Sequence, residues 1–238
     1  MSAPSSPPGR AVAVVELPSP NHDARPPGAP VDMLVLHYTG MRDAEEALVR
    51  LADPAARVSA HYVVDERGTV YRLVAEDRRA WHAGRAFWRG ATDVNGRSIG
   101  IELVNPGHEF GYRRFPEAQM AALETLARDV LARHPIPPRN VVGHADVAPL
   151  RKRDPGELFD WERLARRGVG LWPAPSPDVP AAPDAGAARA LLARYGYETG
   201  DVAAAVAAFQ RHFRPGRVDG IADSETMARL AALLDMLA

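Results

Sequence analysis

The chain has 238 residues, room for one large domain or for a medium one with a small partner. It is 46% hydrophobic and 25% charged, an ordinary globular composition, and its net charge of −1 gives no electrostatic reason to bind nucleic acid or an anionic membrane. With no cysteine, disulfides, thiol nucleophiles and thiolate-bound zinc are excluded.

The opening stretch, "MSAPSSPPGRAVAVVELPSP", is rich in proline and serine, and residues 1–30 are read as a Pro-rich arm. Its apolar run, Ala11 to Val15, is too short for the core of a signal peptide and is closed by Glu16. No stretch approaches the roughly 18 apolar residues of a membrane helix. The expectation is a cytoplasmic protein with no membrane insertion; a periplasmic or exported one is the alternative if a leader has been removed.

"VDMLVLHY", from Val31, is a short apolar run fit for a buried strand. "DAEEALVRLAD" follows as a helix, with Asp43 and Glu46 at capping-box spacing and Ala44, Ala47, Leu48 and Leu51 on one face. "HYVVDERGTVYRLV" reads as a hairpin whose polar turn ends in Gly68, and "SIGIELV" as another strand. In "FPEAQMAALETLARDVLARHP", Pro116 opens a long helix, Met120, Leu123, Ala127, Val130 and Leu131 form its apolar stripe, and His134 and Pro135 close it. "NVVGH" is the last strand. The order β-α-β-β-β-α-β over residues 31–172 predicts an α/β domain, a mixed β-sheet flanked by helices.

Five prolines in "WPAPSPDVPAAP" make residues 173–183 a semi-rigid linker. Residues 184–238 then carry three helical patterns, the second and third preceded by Asp201 and Asp223 as caps. They read as a three-helix C-terminal domain, small but able to fold alone.

Eight histidines are present. His22, His108, His134 and His212 lie in the arm, a loop and two helices, where a structural or surface role is the default. His37 and His144 each end a short apolar strand and meet a loop, the position where ligands and catalytic groups gather. Joined by a carboxylate from the loop after His144, they make a His-His-carboxylate set suited to zinc with an open fourth position. Spacing offers Asp146 and Asp154 for that carboxylate and does not choose between them. Glu102 stands in the middle of an apolar strand, which is costly unless the carboxylate is paired or functional. It is either a solvent-facing or arginine-bonded residue, or a general base whose proton affinity is raised by burial. The run Arg151-Lys152-Arg153 is by default a solvated loop; beside a metal, one of its cations could steady an oxyanion.

Taken together, "LVLHYTG", "SAHYVVDERGTVYRLV", "AWHAG", "NGRSIGIELVN" and "VVGHADVAPLRKRDPG", in this order, resemble the zinc N-acetylmuramoyl-L-alanine amidases of the AmpD and AmiD kind, whose fold is shared with phage lysozyme-type amidases and animal peptidoglycan recognition proteins. The resemblance covers about residues 31 to 160 and makes 31–172 a zinc amidase catalytic domain. It implies Zn2+ bound by His37, His144 and Asp154, Glu102 as acid and base, and Lys152 as the cation that stabilises the transition state. It places His82 along the substrate groove, holds Trp81, Trp88, Asn95 and Arg97 as groove candidates, and gives Tyr62 the position of a site tyrosine in some relatives. The C-terminal helices, with "FQRHF" before "GRVDGIADSETMARL", resemble the peptidoglycan-binding domain of AmiD-like amidases. The implied activity is hydrolysis of the amide between the lactyl group of N-acetylmuramic acid and L-alanine, in peptidoglycan or (anhydro)muropeptides, by a monomer. A non-catalytic recognition module and a zinc peptidase or deacetylase are the alternatives.

Overall fold

The computed structural model describes residues 13–174 and 185–237. Residues 1–12 and 175–184, the start of the expected arm and most of the expected linker, lie outside the described residues. The strands are β1 (Val14–Glu16), β2 (His22–Ala24), β3 (Met33–Tyr38), β4 (Tyr62–Val64), β5 (Val70–Arg72), β6 (Arg78–Ala80), β7 (Ser98–Leu103) and β8 (Val141–Gly143). The longer helices are α1 (Ala44–Ala52), α4 (Glu117–Arg133), α7 (Ala185–Tyr195), α8 (Val202–Phe213) and α9 (Ser224–Asp235). Short ones are α2 (Val94–Arg97), α3 (Gly107–Phe110), α5 (His144–Val147) and α6 (Trp161–Arg166). None is long and apolar enough to cross a membrane.

Six strands form a mixed sheet in the order β1-β5-β4-β7-β3-β8, in which the β4–β5 hairpin is antiparallel and the other described pairs are parallel. Local chemistry explains the ends of its elements. The Asp43 carboxylate accepts from the Glu46 amide and starts α1, and Asp201 and Asp223 start α8 and α9 in the same way. The hairpin turns at Gly68, whose φ of +84° suits glycine and whose missing side chain leaves room for the Ala118 carbonyl.

The arm is more structured than its composition suggests. Val14–Glu16 pairs in parallel with β5, and His22–Ala24 pairs antiparallel with β6. Both are three-residue edge strands without buried side chains, so no alternation of polar and apolar residues marks them.

Alternation along β3 and β7 sorts the two faces of the sheet. Leu34 and Leu36 lie beside Ile99 and Ile101 and pack against Met120, Leu123, Ala127 and Val130 of α4. The opposite face pairs Met33 with Ser98, Val35 with Gly100, and His37 with Glu102. Part of this second face is covered by the C-terminal helices, since Met33, Val35 and Val142 share one hydrophobic cluster with Leu192, Phe209, Phe213 and Leu230. The three-helix unit therefore shares a hydrophobic cluster with this face of the sheet.

A polar contact joins the same two parts. Buried Asp146 accepts from Tyr197 Oη at 2.6 Å and from the Gly143 amide at 2.7 Å, and its Oδ2 lies 2.7 Å from His212 Nδ1. The His212 ring stacks on Trp161 at 3.7 Å between centroids. Asp146 thus orders the turn leaving β8 and ties it to α8.

Candidate active site

The parallel register of β3 and β7 sets His37 directly beside Glu102, at the carboxyl ends of the strands. His144 is the first residue of α5, immediately after β8, and the following loop returns Asp154 to the same point. Gly143 permits this return, because a side chain there would strike Pro155 and Trp161. His37 Nδ1 lies 2.9 Å from His144 Nδ1 and 3.1 Å from Asp154 Oδ2, and His144 Nδ1 lies 3.0 Å from Asp154 Oδ2. All three residues are buried.

This triangle fits a small divalent cation. Donors about 2.0–2.1 Å from one tetrahedral ion stand about 3.3–3.4 Å apart, slightly wider than the edges observed. Two imidazoles and one carboxylate are also a borderline-soft donor set of the kind zinc takes. Ionisation agrees. Burial, with His144 nearby, lowers His37 to about 4 despite Asp154, so its imidazole is neutral at pH 7. Burial alone would push Asp154 up, but His144 and His37 hold it well below the usual carboxylate range. Outer contacts orient the rings: His144 Nε2 donates to the Ala83 carbonyl at 3.0 Å, leaving Nδ1 as a lone-pair donor.

Glu102 borders the triangle without belonging to it. Its Oε1 is 4.0 Å from His37 Nδ1, and its Oε2 is buried without a hydrogen-bond partner. Burial, then the charge of Asp154, raises its proton affinity well above the ordinary value, while Lys152 opposes both. The alternative of a solvent-facing or arginine-bonded glutamate does not describe this side chain.

A cleft of about 770 Å³ opens over these groups and is lined by Trp81, His82, Glu102, His144, Lys152 and Asp154 among others. The structure thus brings together seven of the eleven residues singled out in the sequence. Four candidates lie elsewhere. Tyr62 pairs with Ile101, which turns it to the face opposite Glu102, where its hydroxyl donates to Glu76 at 2.7 Å. Trp88 is fully buried, donates to Asn140 Oδ1 and meets Tyr195 and Tyr197 edge-on. Asn95 Oδ1 accepts from the amides of His82 and Ala83, and Arg97 forms a two-point ion pair with Asp32. Each of these side chains has at least one polar atom hydrogen-bonded within the fold, and none lines the cleft.

Conversely, His108, Arg151 and Arg153 line the cleft, although sequence reasoning left them as structural or surface residues, and so does Arg50, to which it gave no role. Arg151 also donates to the carbonyls of Ala83 and Arg85, bracing the segment opposite. His108 lies 2.9 Å from the Tyr38 hydroxyl and 3.2 Å from Glu157. Arg50 reaches the cleft from α1 and His108 from α3, elements whose sequence carries no sign of facing the site, while Arg151 and Arg153 flank Lys152.

Comparison with known proteins agrees with this architecture. Residues 27–157 match the N-acetylmuramoyl-L-alanine amidase family model, and residues 182–230 match a peptidoglycan binding domain. N-acetylmuramoyl-L-alanine amidase AmiD of Escherichia coli is 41% identical over 86% of this chain and 83% of its own length. 1,6-anhydro-N-acetylmuramyl-L-alanine amidase AmpD of Salmonella typhimurium is 34% identical over 66% of this chain and 90% of its own. Among solved structures, the complex of E. coli AmiD with anhydro-N-acetylmuramic acid-L-Ala-D-gamma-Glu-L-Lys superposes with a TM-score of 0.80 at 40% identity, covering 89% of this chain and 92% of that one. AmpDh3 of Pseudomonas aeruginosa with an anhydromuramic pentapeptide superposes with a TM-score of 0.74 at 34% identity, covering 89% of this chain and 94% of that one. With the sheet, the paired strand-end residues and more than half its length accounted for in this way, the chain belongs to the N-acetylmuramoyl-L-alanine amidase family.

Proposed function

We propose that the chain hydrolyses the amide joining the lactyl carboxyl of N-acetylmuramic acid to L-alanine, with zinc held by His37, His144 and Asp154. Bound there, zinc would supply Lewis acidity to the scissile carbonyl and lower the pKa of the attacking water. Glu102, beside the ligands and raised in proton affinity, takes a proton from that water as its oxygen bonds to the carbonyl carbon. Lys152 faces the same cleft and stabilises the negative charge that develops on the carbonyl oxygen. Glu102 then returns its proton to the alanine nitrogen as the carbon–nitrogen bond breaks. Products are a free lactyl carboxylate and a stem peptide with an intact amino terminus.

The observation that carries this reading is the register pairing of His37 with Glu102, which sets a buried, unbonded carboxylate oxygen beside the ligand triangle. A recognition module has no use for that costly arrangement. The relatives crystallised with anhydromuramyl peptides support soluble muropeptides as substrates, and the match over residues 182–230 supports peptidoglycan binding by the C-terminal helices. Incubation of the zinc-loaded protein with an anhydromuropeptide, followed by mass spectrometry, tests the proposal. Release of the complete stem peptide is expected. Cleavage between two amino acids would establish a peptidase, and binding without cleavage a recognition module.

A further inference from the structure

The rings around His37 form a directed chain of hydrogen bonds that ends in the backbone. Ser98 Oγ lies 2.6 Å from the Val94 carbonyl and 3.0 Å from His82 Nε2; His82 Nδ1 lies 3.0 Å from His37 Nε2. All three side chains are buried, His37 at 1% exposure, His82 at 8% and Ser98 at 0%, so water does not replace these partners. We infer that Ser98 and His82 are positioning residues that lock His37 in the tautomer with its proton on Nε2, presenting the Nδ1 lone pair to the metal.

The direction follows from one fixed acceptor. A carbonyl oxygen only accepts, so the Ser98 hydroxyl hydrogen points at Val94. The Ser98 oxygen is then the acceptor for His82, whose proton must sit on Nε2. Neutral His82 therefore accepts at Nδ1, and His37 donates from Nε2. What remains at His37 Nδ1 is a lone pair, 3.1 Å from Asp154 Oδ2 and 2.9 Å from His144 Nδ1.

The surroundings are shaped for this relay. Ser98, Gly100 and Glu102 alternate onto one face of β7, and the His82 ring lies over Gly100, where a side-chain carbon would come within 2.5 Å of it. Asn95 Oδ1 binds the amides of both His82 and Ala83. One clamped dipeptide thus orients both imidazoles, His37 through the His82 ring and His144 through the Ala83 carbonyl. His82, expected along the substrate groove, lines the cleft and also sits behind a ligand.

The inference rests on the zinc reading of the site, and the two are separable. In the zinc-loaded full-length protein, nitrogen-15 NMR of the imidazoles should show His82 protonated on Nε2 and a slowly exchanging proton on His37 Nε2. Ser98→Ala and His82→Phe should each lower zinc affinity by about 10- to 100-fold, read by competition with a chromophoric chelator. A wild-type His82 protonated on Nδ1, or unchanged affinity in Ser98→Ala, overturns the relay. If His82→Phe does not fold, the wild-type tautomer decides alone. Zinc that binds the wild type and is lost in Asp154→Ala upholds the metal site whichever tautomer His82 shows, whereas a wild-type chain that takes up no zinc overturns both.

Discussion

Glu102 and Asp154 are carboxylates set against the same imidazole, and their surroundings push them in opposite directions. Asp154 is hydrogen-bonded to two imidazoles that outweigh its burial, while Glu102, 4.0 Å from His37, is hydrogen-bonded to neither and is further raised by the charge of Asp154. Two neighbouring acids with separated proton affinities suit a division of labour between ligand and base. Glu102→Gln should accordingly keep its zinc and lose about 10²- to 10⁴-fold in turnover, measured as stem peptide released per bound zinc. Asp154→Ala should lose the metal and Asp146→Ala should retain it, as read by elemental analysis of the purified variants. Zinc lost from Asp146→Ala alone would reverse the ligand assignment. The two aspartates cannot be told apart by distance from His144 along the chain. Their partners distinguish them, since Asp146 is saturated by Gly143, Tyr197 and His212 and points toward α8.

Between elements, the site depends on how β7 lies against its neighbours. Gly100 is the flat place in that strand, and Gly100→Ala should displace the His82 ring and destabilise the fold by about 1–3 kcal/mol, measured by urea unfolding. On the other face, Glu76 links β4 to the end of α4. Burial pushes its carboxyl up, but hydrogen bonds from Arg133, Tyr62 and His134 prevail and hold it at about 2, below the ordinary 4.5. The folded state thus binds this proton more weakly than the unfolded chain does. Its contribution to stability is complete above about pH 4.5 and fades as pH falls toward 2. Glu76→Gln should be about 1–3 kcal/mol less stable at pH 7, and its stability should decline less between pH 4.5 and 2. Equal slopes for both proteins would remove Glu76 from the acid response.

The C-terminal helices, read from sequence as an independent domain, share a cluster with β3 and β8 and a buried polar contact with the turn that carries His144. One core implies one unfolding event. In urea, tryptophan fluorescence, which reports on buried Trp88 and Trp161, and far-ultraviolet circular dichroism should give coincident transitions. Phe213→Ala should shift both together, by about 3–5 kcal/mol. Two separated transitions would show that the halves fold independently.

Most of the sheet and its main helices were legible because their signals are local: apolar runs for β3, β7 and β8, helical periodicity for α1, α4, α8 and α9, aspartate caps and a glycine turn. The ligand candidates His37 and His144 and the catalytic candidate Glu102 stood out for a related reason, polar groups at the ends or middle of apolar strands. Tyr62, Trp88, Asn95 and Arg97 were misplaced because a motif records neighbours along the chain, not the face to which a side chain turns. The edge strands β1, β2 and β6 leave too little buried surface to imprint a pattern. So the sequence contained the donors, their order and the elements that carry them. Register and loop return, which depend on contacts 45 to 117 residues apart, decided which carboxylate meets the imidazoles, which ring stands behind them and which helices close the core.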